Sequence, residues 1–352
     1  MKTNHKQLIL ARQYKGITQT ELSSQINGLS QSTLSKFEKG IGDISEDLMQ
    51  KIAEYLGFPL TFFKKDISLR IENFHYRKRA STGVKDVSKL ESTFIVIGDM
   101  LDSMTDEVIF PEFSLSYINI EDGYSINKIA EYTRRLMGLK YDEPVKDIMG
   151  KFEKAGIIIV EMETSIDSFD GVSIISNKGL IYICINKKMS NDRKRFTLAH
   201  ELGHIVMHLS TDFIISDYRD KEKEANQFAS EFLMPSDVIK NSLFDLKMSY
   251  LGDLKRYWLT SMASIVRRAK DVNAISAERY KYLSIELSRA GYKKNEPIAV
   301  YIDSAQIISQ SYKLFKNQLE YSDNDLSEAF DLPISIFKDL FEIDNKRIRL
   351  AI

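Results

Sequence analysis

The stretch RFTLAHELGHIVMHL, residues 195–209, contains three of the five histidines in a 352-residue chain. His200 and His204 are four residues apart, so on a helix they share one face and can reach a single ion. Glu201 lies between them and completes H-E-x-x-H. In that pattern two imidazoles hold a zinc ion and leave positions open, with a carboxylate alongside for proton transfer. Surface helices with His and Glu are common, so the flanks decide. Phe196, Leu198 and Ala199 precede the motif, and Ile205, Val206 and Leu209 follow it. Such a helix is half-buried, and Gly203 permits a second backbone to approach closely.

A catalytic zinc site normally has three protein ligands. His208 continues the same face, but it lies about 12 Å from His200 along the helix axis. A structural or substrate-side place suits it better than ligation. The alternative is an acid on the next expected helix, DKEKEANQFASEFLMP, residues 220–235. Glu222 and Glu224 are both candidates; they point about 200° apart around a helix, so both cannot be ligands. Spacing leaves that choice open. Asn226 is four residues beyond Glu222 and could orient a histidine or the carboxylate. Tyr182 and Tyr218 are weaker candidates for stabilising an oxyanion, and Cys184 reads as buried filler.

Upstream of the motif helix, which Asn191 or Asp192 would cap, the period changes. A helix over 144–155 ends at Gly156, and IIIVEME (157–163) reads as a strand. GVSIISNKGLIYICIN (171–186) is two apolar runs around Asn177, Lys178 and Gly179, a hairpin signal. Helices beside a short sheet make a small α+β domain, assigned to residues 146–245. One of the hairpin strands could offer an edge to an extended peptide.

The first 65 residues read as short helices. Thr18 and Glu21 form a capping box, Ser30 caps the next helix, and Gly28 lies in the turn between them. Leu22, Ile26, Leu34 and Phe37 have the spacing to pack that pair, which is helix-turn-helix organisation. The helix from Ser30 would enter a major groove, exposing Gln31, Ser32, Thr33 and Lys36, with Gln31 reading a base edge and Lys36 a phosphate. Gln19 is a candidate DNA-backbone contact. One short helix specifies too little, so a homodimer on a double-stranded DNA operator is expected. Nine Lys or Arg against six Asp or Glu make residues 1–65 only mildly basic, which keeps a protein-docking role in play.

Residues 66–145 read as a largely helical connector, with helices near 84–106 and 125–138. Arg77, Lys78 and Arg79 could extend a phosphate footprint. Residues 246–352 read as a helical region without an assigned role. DNDLSEAFDLPISIFKDLF (323–341) echoes the grammar of GDISEDLMQKIAEYLGFPLTFFKKD (42–66). A net charge of -1 gives no whole-chain field toward DNA or membrane. One cysteine excludes an intrachain disulfide and nearly excludes a thiolate zinc site. With no apolar run of membrane-span length, the expectation is a cytoplasmic protein without a membrane partner.

HELGHIVMH (200–208) followed by EKEANQFASEFLMP (222–235) resembles the ImmA/IrrE-type zinc metallopeptidases. The resemblance implies a zincin-like domain with one Zn2+ held by His200, His204 and Glu222, which favours Glu222 over Glu224. It makes Glu201 the general base that activates zinc-bound water. GITQTELSSQINGLSQSTLSKFEKG (16–40) resembles the Xre/Cro-like helix-turn-helix, with a small residue added in the turn and a recognition helix rich in Ser and Thr. The combination implies a multidomain chain: an all-α DNA-binding domain, an α+β zincin-like metallopeptidase domain and a helical C-terminal extension. The implied activity is hydrolysis of a peptide bond in a partner protein, a transcriptional repressor or regulator. The alternative is a transcriptional regulator whose zinc domain senses or is structural.

Overall fold

The computed structural model describes residues 3–65, 83–210, 215–216, 218–293 and 295–340. Arg77, Lys78 and Arg79 lie outside the described residues.

Four helices open the chain: α1 (His5–Tyr14), α2 (Gln19–Gln25), α3 (Gln31–Glu38) and α4 (Glu46–Leu56), followed by a 3-10 turn over Leu60–Lys64. The helix starts follow the expected chemistry. Thr18 accepts the Glu21 N–H while the Glu21 carboxylate accepts the Thr18 N–H, and Ser30 accepts the Thr33 N–H at the start of α3. Leu22, Ile26, Leu34 and Phe37 are buried together, which fixes the α2–α3 pair. Beneath it, Arg12 forms a two-pronged ion pair with Glu38 at 2.6 and 2.7 Å.

The second unit is built on β1 (Ile157–Met162), β2 (Gly171–Ile175) and β3 (Ile181–Asn186), in the order β1-β3-β2. β1 and β3 are parallel with Ile159 opposite Ile183; β2 and β3 are antiparallel with Ser173 opposite Ile183. The strands are continuous β-branched runs because both faces are covered. Ile157, Ile159, Ile181, Ile183 and Ile185 face one core, and Ile158, Val160, Val172, Tyr182 and Cys184 face another.

The first of these cores is closed by α6 (Ile126–Leu136), α7 (Ile148–Lys154), α8 (Asn191–His208), α9 (Lys221–Leu233) and α10 (Ser236–Leu243). It also takes in α11 (Met248–Trp258), α12 (Met262–Asp271) and α13 (Ala277–Arg289). The opposite sheet face is covered by α5 (Val84–Met104) and by a tail of α14 (Ile307–Asn317), α15 (Asp323–Phe330) and α16 (Ile334–Leu340). The result is an all-α helix-turn-helix domain, a central mixed α/β domain and a helical C-terminal extension.

The structure corrects one expectation and adds detail to others. Ser190, rather than Asn191 or Asp192, occupies the cap position of α8, and its hydroxyl donates to Asp192. The stretch read as a largely helical connector packs, where it is described, on both its neighbours. Its α5 packs on α1 and the sheet, while α6 packs on α9, with the buried Arg134 donating to the Phe232 carbonyl at 2.6 Å. The C-terminal region likewise divides between the two cores. The echo is structural: Ser45 caps α4 and Ser322 caps α15, and each helix ends on a left-handed residue, Gly57 or Asp331. A proline follows two residues later in each, Pro59 or Pro333. The two segments meet, since Lys65 donates to the Phe330 carbonyl at 2.9 Å and pairs with Asp331 at 3.3 Å.

Candidate metal centre

The centre sits where α9 lies against α8. Gly203 makes that approach possible: a Cβ there would stand 3.1–3.2 Å from the buried ring of Phe228. On the other side of α8, β2 comes close enough that a Cβ on Gly171 would lie 2.6 Å from the Thr197 methyl. Small residues at these two positions therefore bring the sheet edge and α9 to the motif helix together.

His200, His204 and Glu222 present ligand atoms that all lie within 4.8 Å of one another. The two Nε2 atoms are 3.0 Å apart. Glu222 carboxylate oxygens stand 3.3 Å from His204 Nε2 and 3.7 Å from His200 Nε2. A tetrahedral zinc site with bonds of about 2.0–2.1 Å has ligand–ligand edges of about 3.3–3.4 Å. The three separations bracket that length, and the donor set of two imidazoles and one carboxylate suits zinc. The residues fit the ion. His204 is fully buried, whereas the Glu222 side chain is 37% exposed, so the cluster opens toward solvent on the α9 side.

Glu201 is buried at 3% exposure and is held by a residue the sequence did not single out. Ser173 donates its hydroxyl to the Glu201 carboxylate at 2.8 Å. Burial raises the Glu201 carboxyl above the ordinary glutamate range; the nearby His204 and the Ser173 bond oppose that rise, and Glu222 adds to it. The sheet ladder explains why Ser173 is available. Asn186 N–H bonds the Asp170 carbonyl and Ser176 N–H bonds the Leu180 carbonyl. This phase turns the main-chain groups of Gly171, Ser173 and Ile175 away from β3. β2 is thus an edge strand whose outer side faces Glu201.

Other residues take different places from those expected. The Asn226 amide donates to the main-chain carbonyl of Glu222 at 2.7 Å, so it braces the α9 backbone rather than a histidine or the carboxylate side chain. Tyr182 is buried and donates to the Phe94 carbonyl at 2.9 Å, on the sheet face away from α8. Tyr218 is 86% exposed. Cys184 is buried, and burial pushes its thiol well up. His208 Nδ1 lies 3.0 Å from His204 Nδ1, on the ring edge opposite the metal-facing nitrogen.

At the other functional end, Gln31, Ser32, Thr33 and Lys36 are all exposed on α3. Gln19 is tied down: its amide donates to Glu38 at 2.7 Å, and its oxygen accepts from the Gln31 amide at 3.0 Å. The Arg12–Glu38 pair thereby orients Gln31 through Gln19.

Fold and site together define a helix-turn-helix protein that also carries a zincin-type His-Glu-His helix with a carboxylate from the following helix. Residues 152–270 match the family described as the IrrE N-terminal-like domain, and residues 8–63 match the helix-turn-helix family. A curated relative, the radiation response metalloprotease IrrE of Deinococcus deserti, is 34% identical over 105 residues, covering 27% of this chain and 34% of the relative. The chain spans about a third of the length of that relative. Its N-terminal part is thus similar to helix-turn-helix domains and its central part to the IrrE N-terminal-like domain, a combination consistent with the ImmA/IrrE type. Among the described residues, no helix is long and apolar enough to cross a membrane.

Proposed function

We propose that the chain is a DNA-binding regulatory zinc peptidase that cuts a partner protein. The observation that carries this reading is the convergence of His200, His204 and Glu222 on one point, beside a buried Glu201 anchored to a sheet edge. Zinc held by these three residues would supply Lewis-acid polarisation of the scissile carbonyl and lower the pKa of a water. Glu201 takes a proton from the attacking water on a carboxylate oxygen and returns it to the leaving amine nitrogen. Its burial suits the task, since a raised carboxyl pKa lies nearer the working pH. Ser173 fixes the carboxylate's direction. The outward main-chain groups of Gly171 and Ile175 on β2 offer an extended peptide a strand to pair with.

The α3 surface supports the DNA role: Gln31 reads a base edge, and Ser32, Thr33 and Lys36 contact the groove and phosphates. A homodimer would place two such helices on one operator. A transcriptional regulator is the substrate class that suits a peptidase joined to a DNA-binding module. A regulator with a non-proteolytic metal domain would have its open ligand position plugged. His208 lies on the wrong side of His204 for this, and Cys184 and the tail helices belong to the opposite sheet face.

The test compares wild type with Glu201→Gln in host-cell extract, with and without operator DNA, by mass spectrometry. Both proteins should carry zinc, because Glu201 is not a ligand. A cleavage product that forms only with wild type is the expected result. Identical product profiles from two zinc-loaded proteins would favour the non-proteolytic regulator.

A further inference from the structure

The third histidine of the motif helix is unused by the peptidase reading, yet it is buried and bonded at both ring nitrogens. We propose that His208 is a positioning residue that fixes the tautomer of His204, as part of a chain Arg219–Glu224–His208–His204. This inference rests on the metal reading of His200, His204 and Glu222.

The directions of the hydrogen bonds carry the argument. Arg219 donates through Nε and Nη2 to one Glu224 oxygen, at 2.9 and 2.7 Å. The other Glu224 oxygen lies 2.9 Å from His208 Nε2. An ionised carboxylate only accepts, so His208 Nε2 must carry the proton. The facing Nδ1 atoms of His208 and His204 need one donor and one acceptor between them. A neutral ring protonated on Nε2 offers a lone pair on Nδ1. That atom stands 3.0 Å from His204 Nδ1, which must therefore be the donor. His204 is then left with its lone pair on Nε2, the atom 3.0 Å from His200 Nε2 and 3.3 Å from Glu222. The opposite tautomer would aim an N–H at the metal position.

The two acids at the start of α9 thus divide the work. Glu222 reaches the cluster at His200 and His204, while Glu224 reaches past it to His208 one turn further along α8. The spacing of His200, His204 and His208 follows: two ligands in successive turns, and behind the buried ligand a residue that sets its proton.

The test measures zinc affinity by competition with a chromophoric chelator, for wild type, His200→Ala, His208→Phe and His208→Asn. Circular dichroism checks that each zinc-free protein is folded. Asparagine keeps an acceptor near the Nδ1 position; phenylalanine keeps the ring volume without one. Removing such a partner typically costs about 10–100-fold in metal affinity. That loss is expected for His208→Phe, with most affinity restored in His208→Asn. Nitrogen-15 spectra of the zinc-free wild type should show His204 protonated on Nδ1. Equal affinity in wild type and both His208 variants would overturn the chain while leaving the metal site standing. Equal losses in both variants would also overturn it, since the effect would then follow packing rather than the acceptor. A His200→Ala affinity equal to wild type would instead remove the metal reading itself.

Discussion

At the residue scale, the site depends on side chains that are small or that hold one proton in place. Gly203 has the buried Phe228 ring against it, and an added Cβ would crowd that ring at 3.1–3.2 Å. Gly203→Ala should therefore destabilise the protein by about 1–3 kcal/mol, the usual range for overpacking, read as a lower denaturation midpoint. Ser173→Ala should leave zinc content unchanged while lowering kcat about tenfold, because Glu201 loses a side-chain hydrogen bond worth about 1–2 kcal/mol. An unchanged kcat would show that the Ser173 hydroxyl does not orient Glu201. His200, Glu201 and His204 were legible in the sequence because a helix turns i,i+4 spacing into a shared face. Ser173 was not, because its partner is 28 positions away on another element, and no local period links them. The choice between Glu222 and Glu224 was likewise beyond spacing alone, since both side chains in the first turn of α9 reach α8.

At the element scale, the helix-turn-helix was legible almost in full, because its determinants are local: the Thr18 box, the Ser30 cap and the apolar faces of α2 and α3. The edge of the sheet was not legible, since strand order depends on pairing between distant segments. The Thr18–Glu21 box gives the first domain a pH dependence. The main-chain N–H of Thr18, followed by the Lys85 ammonium, lowers the Glu21 carboxyl from 4.5 to about 2. A folded pKa below the unfolded value means that the contribution is complete above about 4.5 and is lost as pH falls through about 2. Wild type should thus lose stability over this window more steeply than Glu21→Gln; parallel pH profiles would mean that the box does not contribute. On α3, Gln31→Ala should cost about 1–3 kcal/mol against the operator and relax one base position. Lys36→Ala should weaken operator and random DNA alike and reduce the salt slope by about 1.

At the scale of the whole molecule, the cores do not follow the order of the chain. One core runs from Leu8 and Phe62 in the first domain through Phe94 of α5 and Tyr182 of the sheet to Phe315 and Phe337 of the tail. The sequence showed the elements as consecutive blocks, so it could not show that the last helices return to the first domain. The tail is secured by a reciprocal arrangement at its root. Asp303 accepts the Met149 and Gly150 N–H groups at the start of α7, and Glu153 at the end of α7 accepts the Gln306 and Ile307 N–H groups at the start of α14. Glu153→Ala strips the acceptor from two helix-start donors, a loss of about 1–2 kcal/mol. Because α14 leads into α15, whose Phe330 carbonyl holds Lys65, the loosening should spread to the junction with the first domain. It need not reach the α8–α9 pair, which belongs to the other core. Hydrogen exchange should accordingly quicken in α14, α15 and the Leu60–Lys64 turn of Glu153→Ala, while α8 and α9 keep their protection. Uniformly faster exchange across all helices would mean that the two cores open as one unit, and that the tail is not a separately released strap between the helix-turn-helix and the metal-site ends.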